Sequence, residues 1–134
     1  MHENSFFDRL ETRSSDERMA TIFEIIPKQI SNAKKNSPYF AKLLANIDAD
    51  SVVSRSLFNT LPVTRKSDLP DLQGERLPLG GLTTCGLGQL RRIFQSPGPI
   101  YDPEGHGEDW WGTARAIYAA GFRKGEIIHN SFSY

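Results

Sequence analysis

Phe94 to Gly105 read FQSPGPIYDPEG, between a strand-like run, Leu90–Gln95, and a helix-like run that begins near Glu108. A glycine-containing loop between a strand and a helix is a common phosphate site, because backbone amides there converge on an anion. Ser96 and Gly98 are the loop residues suited to donate to one. Pro97, Pro99 and Pro103 carry no amide hydrogen, and Asp102 and Glu104 would repel a polyphosphate. The prolines also hold their neighbours extended and lower the entropy cost of ordering. The composition therefore favours a stiff turn over a working cradle, which needs several amides plus hydroxyls or a cation. Ile100 and Tyr101 are expected to pack inward. Asp102 and Glu104 are expected to face solvent or cap the next helix.

Other reactive side chains stand alone. Cys85, in TTCGLG, is the single cysteine, and no sequence neighbour would lower its pKa, so it reads as a buried or incidental thiol. It excludes an internal disulfide and fits a reducing setting. His2, His106 and His129 have no Cys or carboxylate companions at ligand spacing, so no metal site is expected. Ser131 and Ser133 make no nucleophile elbow. Trp110-Trp111 read as core and interface rather than a platform for bases. Phe132 and Tyr134 read first as core aromatics. No catalytic residue is assigned.

The elements that position these residues divide into three stretches. Residues 1–13 form an arm whose Phe6, Phe7 and Leu10 could dock it. Residues 14–89 form a helical segment ending in a glycine-rich loop. Ser14 and Glu17 have capping-box spacing, followed by an apolar face of Met19, Ile22, Phe23, Ile26, Ile30 and Ala33. Pro27 predicts a kink or restart. Ser37-Pro38 opens a second helix, SRSLFNT is a helical turn, and Thr64 opens a further helix that stops at Gly74. Residues 74–89 hold five glycines and read as a meandering loop or weak hairpin. Residues 90–134 have the lengths of one βαβ unit: strand 90–95, helix 108–120 and strand 126–130, normally a parallel right-handed crossover. In that arrangement His129-Asn130 end a strand, where α/β proteins place ligands.

Lys plus Arg and Asp plus Glu both total 16 among 134 residues. A zero net charge gives no support to a nucleic-acid partner. No apolar run approaches the roughly 20 residues of a membrane span, and no signal peptide is legible. A soluble cytoplasmic α/β chain is expected. Two strands are few for a sheet, and the chain ends on an aromatic strand, so a fragment of a longer protein is expected. Its exposed strand EIIHNSF predicts self-association into a homo-oligomer.

NSPYFAKLL, LPVTRKSDL and AAGFRKGEIIHNSFSY resemble the N-terminal part of the phenylacetate-coenzyme A ligase family, within the AMP-forming, adenylate-forming superfamily. The resemblance covers Glu17 to Tyr134. It implies the start of a large adenylate-forming domain, and an activity in which a carboxylic acid and ATP form an acyl-adenylate that coenzyme A then attacks. ATP, Mg and coenzyme A are implied by the family alone, and none is expected to bind this chain by itself. The family's phosphate loop falls on Gln95–Tyr101, where only Ser96 and Gly98 match; its threonine pair and lysine are absent. The resemblance implies an approach of Phe132 and Tyr134 to the acyl pocket, and pairing of the chain as a homodimer. The small-molecule acid itself is left open. Two functions follow: the N-terminal part of an acid-activating ligase, not catalytic alone, or a non-catalytic interaction or regulatory module on a ligase-derived scaffold.

Overall fold

A computed structural model describes residues 5–131. Ser14 opens helix α1, Ser15–Asn36. Its hydroxyl accepts from the Glu17 amide at 3.2 Å, and the Glu17 carboxylate accepts from the Ser14 amide at 2.7 Å. Two orphan amides of the first turn are thereby satisfied, and the same bond from the Ser14 amide holds the Glu17 carboxyl below its ordinary pKa. Lys34 and Lys35 lie in the last turn, at the negative end of the helix dipole. The helix does not restart at Pro27; it runs through it. A proline removes one backbone bond, and Ile26 and Ile30 on either side are held in the core.

Ser37 ends α1 and caps α2, Pro38–Leu43. Its buried hydroxyl accepts from the Phe40 amide at 3.3 Å and donates to the Gly81 carbonyl at 2.7 Å. That carbonyl also accepts from the Tyr39 amide at 3.2 Å. One residue thus sets the elbow between two helices and ties it to a loop far along the chain. Ile30, Leu44 and Val52 form the core of this half, with Phe40, Ile47 and Leu61 packed around them. Lys34 reaches over the cluster to the Ile47 carbonyl.

The helical turn expected near residue 56 is α3, Arg55–Phe58, capped by Ser54. The next helix begins later than Thr64. A 3-10 turn, Lys66–Asp68, leads into α4, Leu69–Glu75, which has Pro70 in its first turn and carries Gly74 inside it.

The parallel βαβ unit does not form. Strand β1, Arg92–Ser96, pairs antiparallel with β2, Ile100–Glu104, in the register Ser96↔Ile100 to Arg92↔Glu104. A parallel pair needs a crossover of a dozen or more residues, whereas a hairpin closes through a short loop. Pro97-Gly98-Pro99 is such a loop, and the entropy cost of closing it is small. The helix expected over 108–120 shrinks to α5, Ala114–Ala119. Gly112 adopts φ +66°, which breaks helical geometry just before it. Asp109 then caps α5 from outside, accepting from the Thr113 amide at 2.9 Å and the Ala114 amide at 3.2 Å. Gly121, φ +101°, ends α5 in the left-handed conformation its position predicts. Residues 126–131 take no strand, and Ile127 is 99% exposed. The strand invoked for self-association is therefore not formed within the described residues. No helix among them is long and apolar enough to cross a membrane.

Candidate functional site

The hairpin turn carries Ser96 and Gly98, the residues expected of a phosphate loop. Its donors are few. The Ser96 hydroxyl is directed at its own hairpin, donating to the Ile100 carbonyl at 3.3 Å. Gly98 supplies the one amide hydrogen between Pro97 and Pro99. A side chain added at Gly98 would meet Ile100 at 3.5 Å, an ordinary contact, so nothing keeps a space open there for a ligand. The residues of this turn do not fit a polyphosphate, which needs several convergent donors.

The hairpin is held from three sides. From α4, buried Gln73 donates its side-chain amide to the Tyr101 carbonyl at 2.9 Å and accepts from the Tyr101 amide at 2.8 Å. One side chain thus plays the part of a neighbouring strand for a single residue. Both polar groups of Tyr101 point away from β1, so Gln95↔Tyr101 is a pair without ladder hydrogen bonds. Alternation puts Pro103, two residues on, in the same orientation. Its missing amide hydrogen costs the ladder nothing, which explains a proline inside a strand.

Glu104 corrects a second expectation. It neither faces solvent nor caps a helix; it is 5% exposed. One carboxylate oxygen lies 3.5 Å from the Arg91 guanidinium and 3.3 Å from that of Arg92. The Glu104 carbonyl accepts from the Arg91 amide at 2.8 Å. A buried carboxylate requires such partners, and the half-exposed arginine pair supplies them. Ile100 is buried and Asp102 exposed, as their side-chain chemistry predicts, although the two share a face of β2. On the flank, Phe94 meets Trp111 edge-on at 5.9 Å, and Trp110 packs so closely on buried Gly105 that a β-carbon there would lie 2.4 Å from its ring. Both tryptophans remain about half exposed.

The N-terminal arm docks on α5. Asp8 accepts from the Arg115 guanidinium at 2.7 Å, and this bond holds the Asp8 carboxyl below its ordinary pKa and raises that of Arg115. Phe7 meets Tyr118 edge-on at 5.7 Å. Arg123 stacks 3.7 Å over the other part of that contact, the Tyr118 ring, and donates to the Tyr118 and Phe122 carbonyls. All three apolar arm residues stay exposed, and of them Phe7 makes the aromatic contact.

Cys85 is exposed, not buried. His129 lies on irregular chain rather than at a strand end. Phe132 and Tyr134 lie outside the described residues. Among those residues no group of three His, Cys, Asp or Glu is placed to hold a metal ion. Sequence reasoning missed Gln73 and Glu104. Glu104 had a signal in Arg91-Arg92, legible only once the hairpin register is known. Gln73 had none.

With this geometry in place, the chain can be set beside known proteins. No protein-family model matches it. A curated protein does, over 134 aligned residues at 28% identity. The likeness is to the phenylacetate-coenzyme A ligase of Aromatoleum evansii. It takes in 93% of this chain and 29% of that ligase. The chain is thus a distant relative of part of a phenylacetate-coenzyme A ligase, and spans under a third of that relative's length.

Proposed function

We propose that this chain corresponds to the N-terminal region of a phenylacetate-coenzyme A ligase-like protein, and that it is a scaffold rather than a catalyst by itself. The family chemistry would be ATP-dependent activation of an aryl or acyl carboxylic acid to its adenylate, followed by transfer to coenzyme A. The observation that carries this reading is the extent of the likeness: 93% of the chain aligns with less than a third of a ligase. The hairpin turn favours the second half of the reading. One free amide and one committed hydroxyl between two prolines make a poor holder of ATP phosphates.

Acid-dependent exchange of pyrophosphate into ATP tests it. The 134-residue chain, assayed with a panel of aryl and acyl acids, is expected to give no exchange. Exchange by this chain would show a working adenylation site and overturn the scaffold reading. The alternative, an interaction or regulatory module on the same scaffold, is favoured by the unfit turn. A longer product of the same reading frame that exchanges pyrophosphate would exclude it.

A further inference from the structure

The glycine-rich loop that follows α4 encloses an open cavity of about 490 Å³ against the end of α1 and the start of α2. Asn36 and Pro38 form its helical wall, and the chain from Arg76 to Gln89 forms the rest. No residue of the hairpin lines it. Its electrostatics are one-sided: Arg76 is on the wall, and no Asp or Glu is.

Several donors on this loop are unused. Within the described residues the Arg76 side chain makes no ion pair and no hydrogen bond. Among the described residues the amides of Thr83, Thr84 and Cys85 donate to no protein acceptor, and the two threonine hydroxyls have no partner. The loop is nevertheless pinned. Ser37 and Tyr39 hold the Gly81 carbonyl, and Gln89 accepts from the Gly86 amide at 3.0 Å. Gly80 turns at φ +64°, and a β-carbon there would lie 2.8 Å from the Leu72 carbonyl oxygen. Gly81, φ +73°, brings the chain against Arg76, whose guanidinium would be 3.4 Å from a β-carbon at that position. Unspent donors therefore sit on a fixed loop between two anchors, beside one unpaired cation.

We propose that this cavity binds the phosphate group of a small phosphorylated organic molecule. Arg76, the Thr83 and Thr84 hydroxyls and the amides of 83–85 supply the donors; Leu77, Pro78 and Leu87 supply an apolar wall for the organic body. A phosphate has three terminal oxygens, each able to accept more than one bond, whereas a carboxylate has two oxygens and would leave part of this donor set unpaired. The volume is within the roughly 300–1,000 Å³ usual for small-molecule pockets and far exceeds a bare phosphate. The cavity lies apart from the hairpin turn, so its occupancy is independent of the ligase reading.

Cys85 provides the readout. It is the single cysteine, it is exposed, and it lines the cavity. Its alkylation by iodoacetamide, a neutral reagent, is to be followed at constant ionic strength with phenyl phosphate, inorganic phosphate or phenylacetate present. Phenyl phosphate is expected to slow alkylation saturably, by about tenfold at ten times its dissociation constant. Inorganic phosphate is expected to protect only at higher concentration, and phenylacetate more weakly still. Arg76→Gln is expected to raise the half-protecting concentration of phenyl phosphate by about tenfold or more. Arg76 is exposed and unpaired, so the fold should survive, which circular dichroism checks. Thr84→Val, a second exposed position, is expected to weaken protection in the same direction. No protection by phenyl phosphate, or equal protection in wild type and Arg76→Gln, overturns the site. Phenylacetate matching phenyl phosphate overturns the phosphate assignment, and inorganic phosphate matching it overturns the organic part.

Discussion

Replacing Gln73 should unfasten the hairpin from the helical half. Gln73→Met keeps the volume of this 4%-exposed side chain and removes both bonds to Tyr101. Each intramolecular hydrogen bond contributes about 1 kcal/mol net, and each buried group left unpaired costs about 1–3 kcal/mol. Tyr101 is only half-buried, so water can reach part of its backbone, and the sum is about 2–3 kcal/mol. With urea slopes of roughly 1–3 kcal/mol per molar for small proteins, the unfolding midpoint should fall by about 1–2 M. Gln73→Glu keeps an acceptor for the Tyr101 amide but sets a carboxylate oxygen against the Tyr101 carbonyl, so at neutral pH it should do no better than methionine. Urea unfolding followed by circular dichroism gives the midpoint, and amide hydrogen exchange gives the location. The Tyr101 amide should lose protection in Gln73→Met, ahead of the amides paired within the hairpin. A midpoint shift of Gln73→Met below about 0.2 M, or unchanged Tyr101 protection, would refute the claim that this side chain stands in for a strand.

Gly80→Ala combines a left-handed backbone with a 2.8 Å approach to a backbone oxygen, so it should cost about 2–3 kcal/mol by thermal or urea unfolding. Gly105→Ala meets only the half-exposed Trp110 ring, which can swing away; stability should change by less than about 1.5 kcal/mol while tryptophan emission shifts to the red. The Asp8-Arg115 contact should fade in acid. The Asp8 pKa is depressed in the folded chain, so its contribution is full above the ordinary carboxylate value and is lost as pH falls through the depressed one. Nuclear Overhauser contacts between Phe7 and Tyr118 should weaken in acid and in high salt, and in Asp8→Asn they should be weak at every pH.

What was legible in the sequence was mostly helix termini. Ser14 with Glu17, and Ser37 before Pro38, announce their helices because capping is a local matter between residues a turn apart. The hairpin was not legible, because Pro103 argues against a strand until its outward orientation is known. IYDPE looks like loop composition, yet Ile100 and Glu104 are the buried ends of a strand. The run 108–120 has helical periodicity, but periodicity does not register the left-handed Gly112 in its middle. EIIHNSF has the composition of a strand, yet its described residues, 126–131, take none. Strand formation needs a partner, and among the described residues no strand pairs with 126–131. At the candidate site, the scarcity of donors around Ser96 and Gly98 could be read from the prolines. The roles of Gln73 and Glu104 depend on contacts between residues far apart in the chain, and no local pattern encodes them.

The Gln73 clasp and Pro103 also make the hairpin directional as a template for growth. On the outer side of β2, the Tyr101 groups are already taken and Pro103 offers no donor. An incoming chain finds there only the Pro103 carbonyl, an acceptor without its matching donor. The outer side of β1 is different: Ile93 and Gln95, opposite Pro103 and Tyr101, present their backbone groups away from the hairpin. Sheet extension, whether by another segment or by another molecule, can therefore proceed from β1 alone. Arg91 and Arg92 stand at the start of that side, where their charge disfavours a flat apolar newcomer. A sheet built on this pair grows in one direction or not at all.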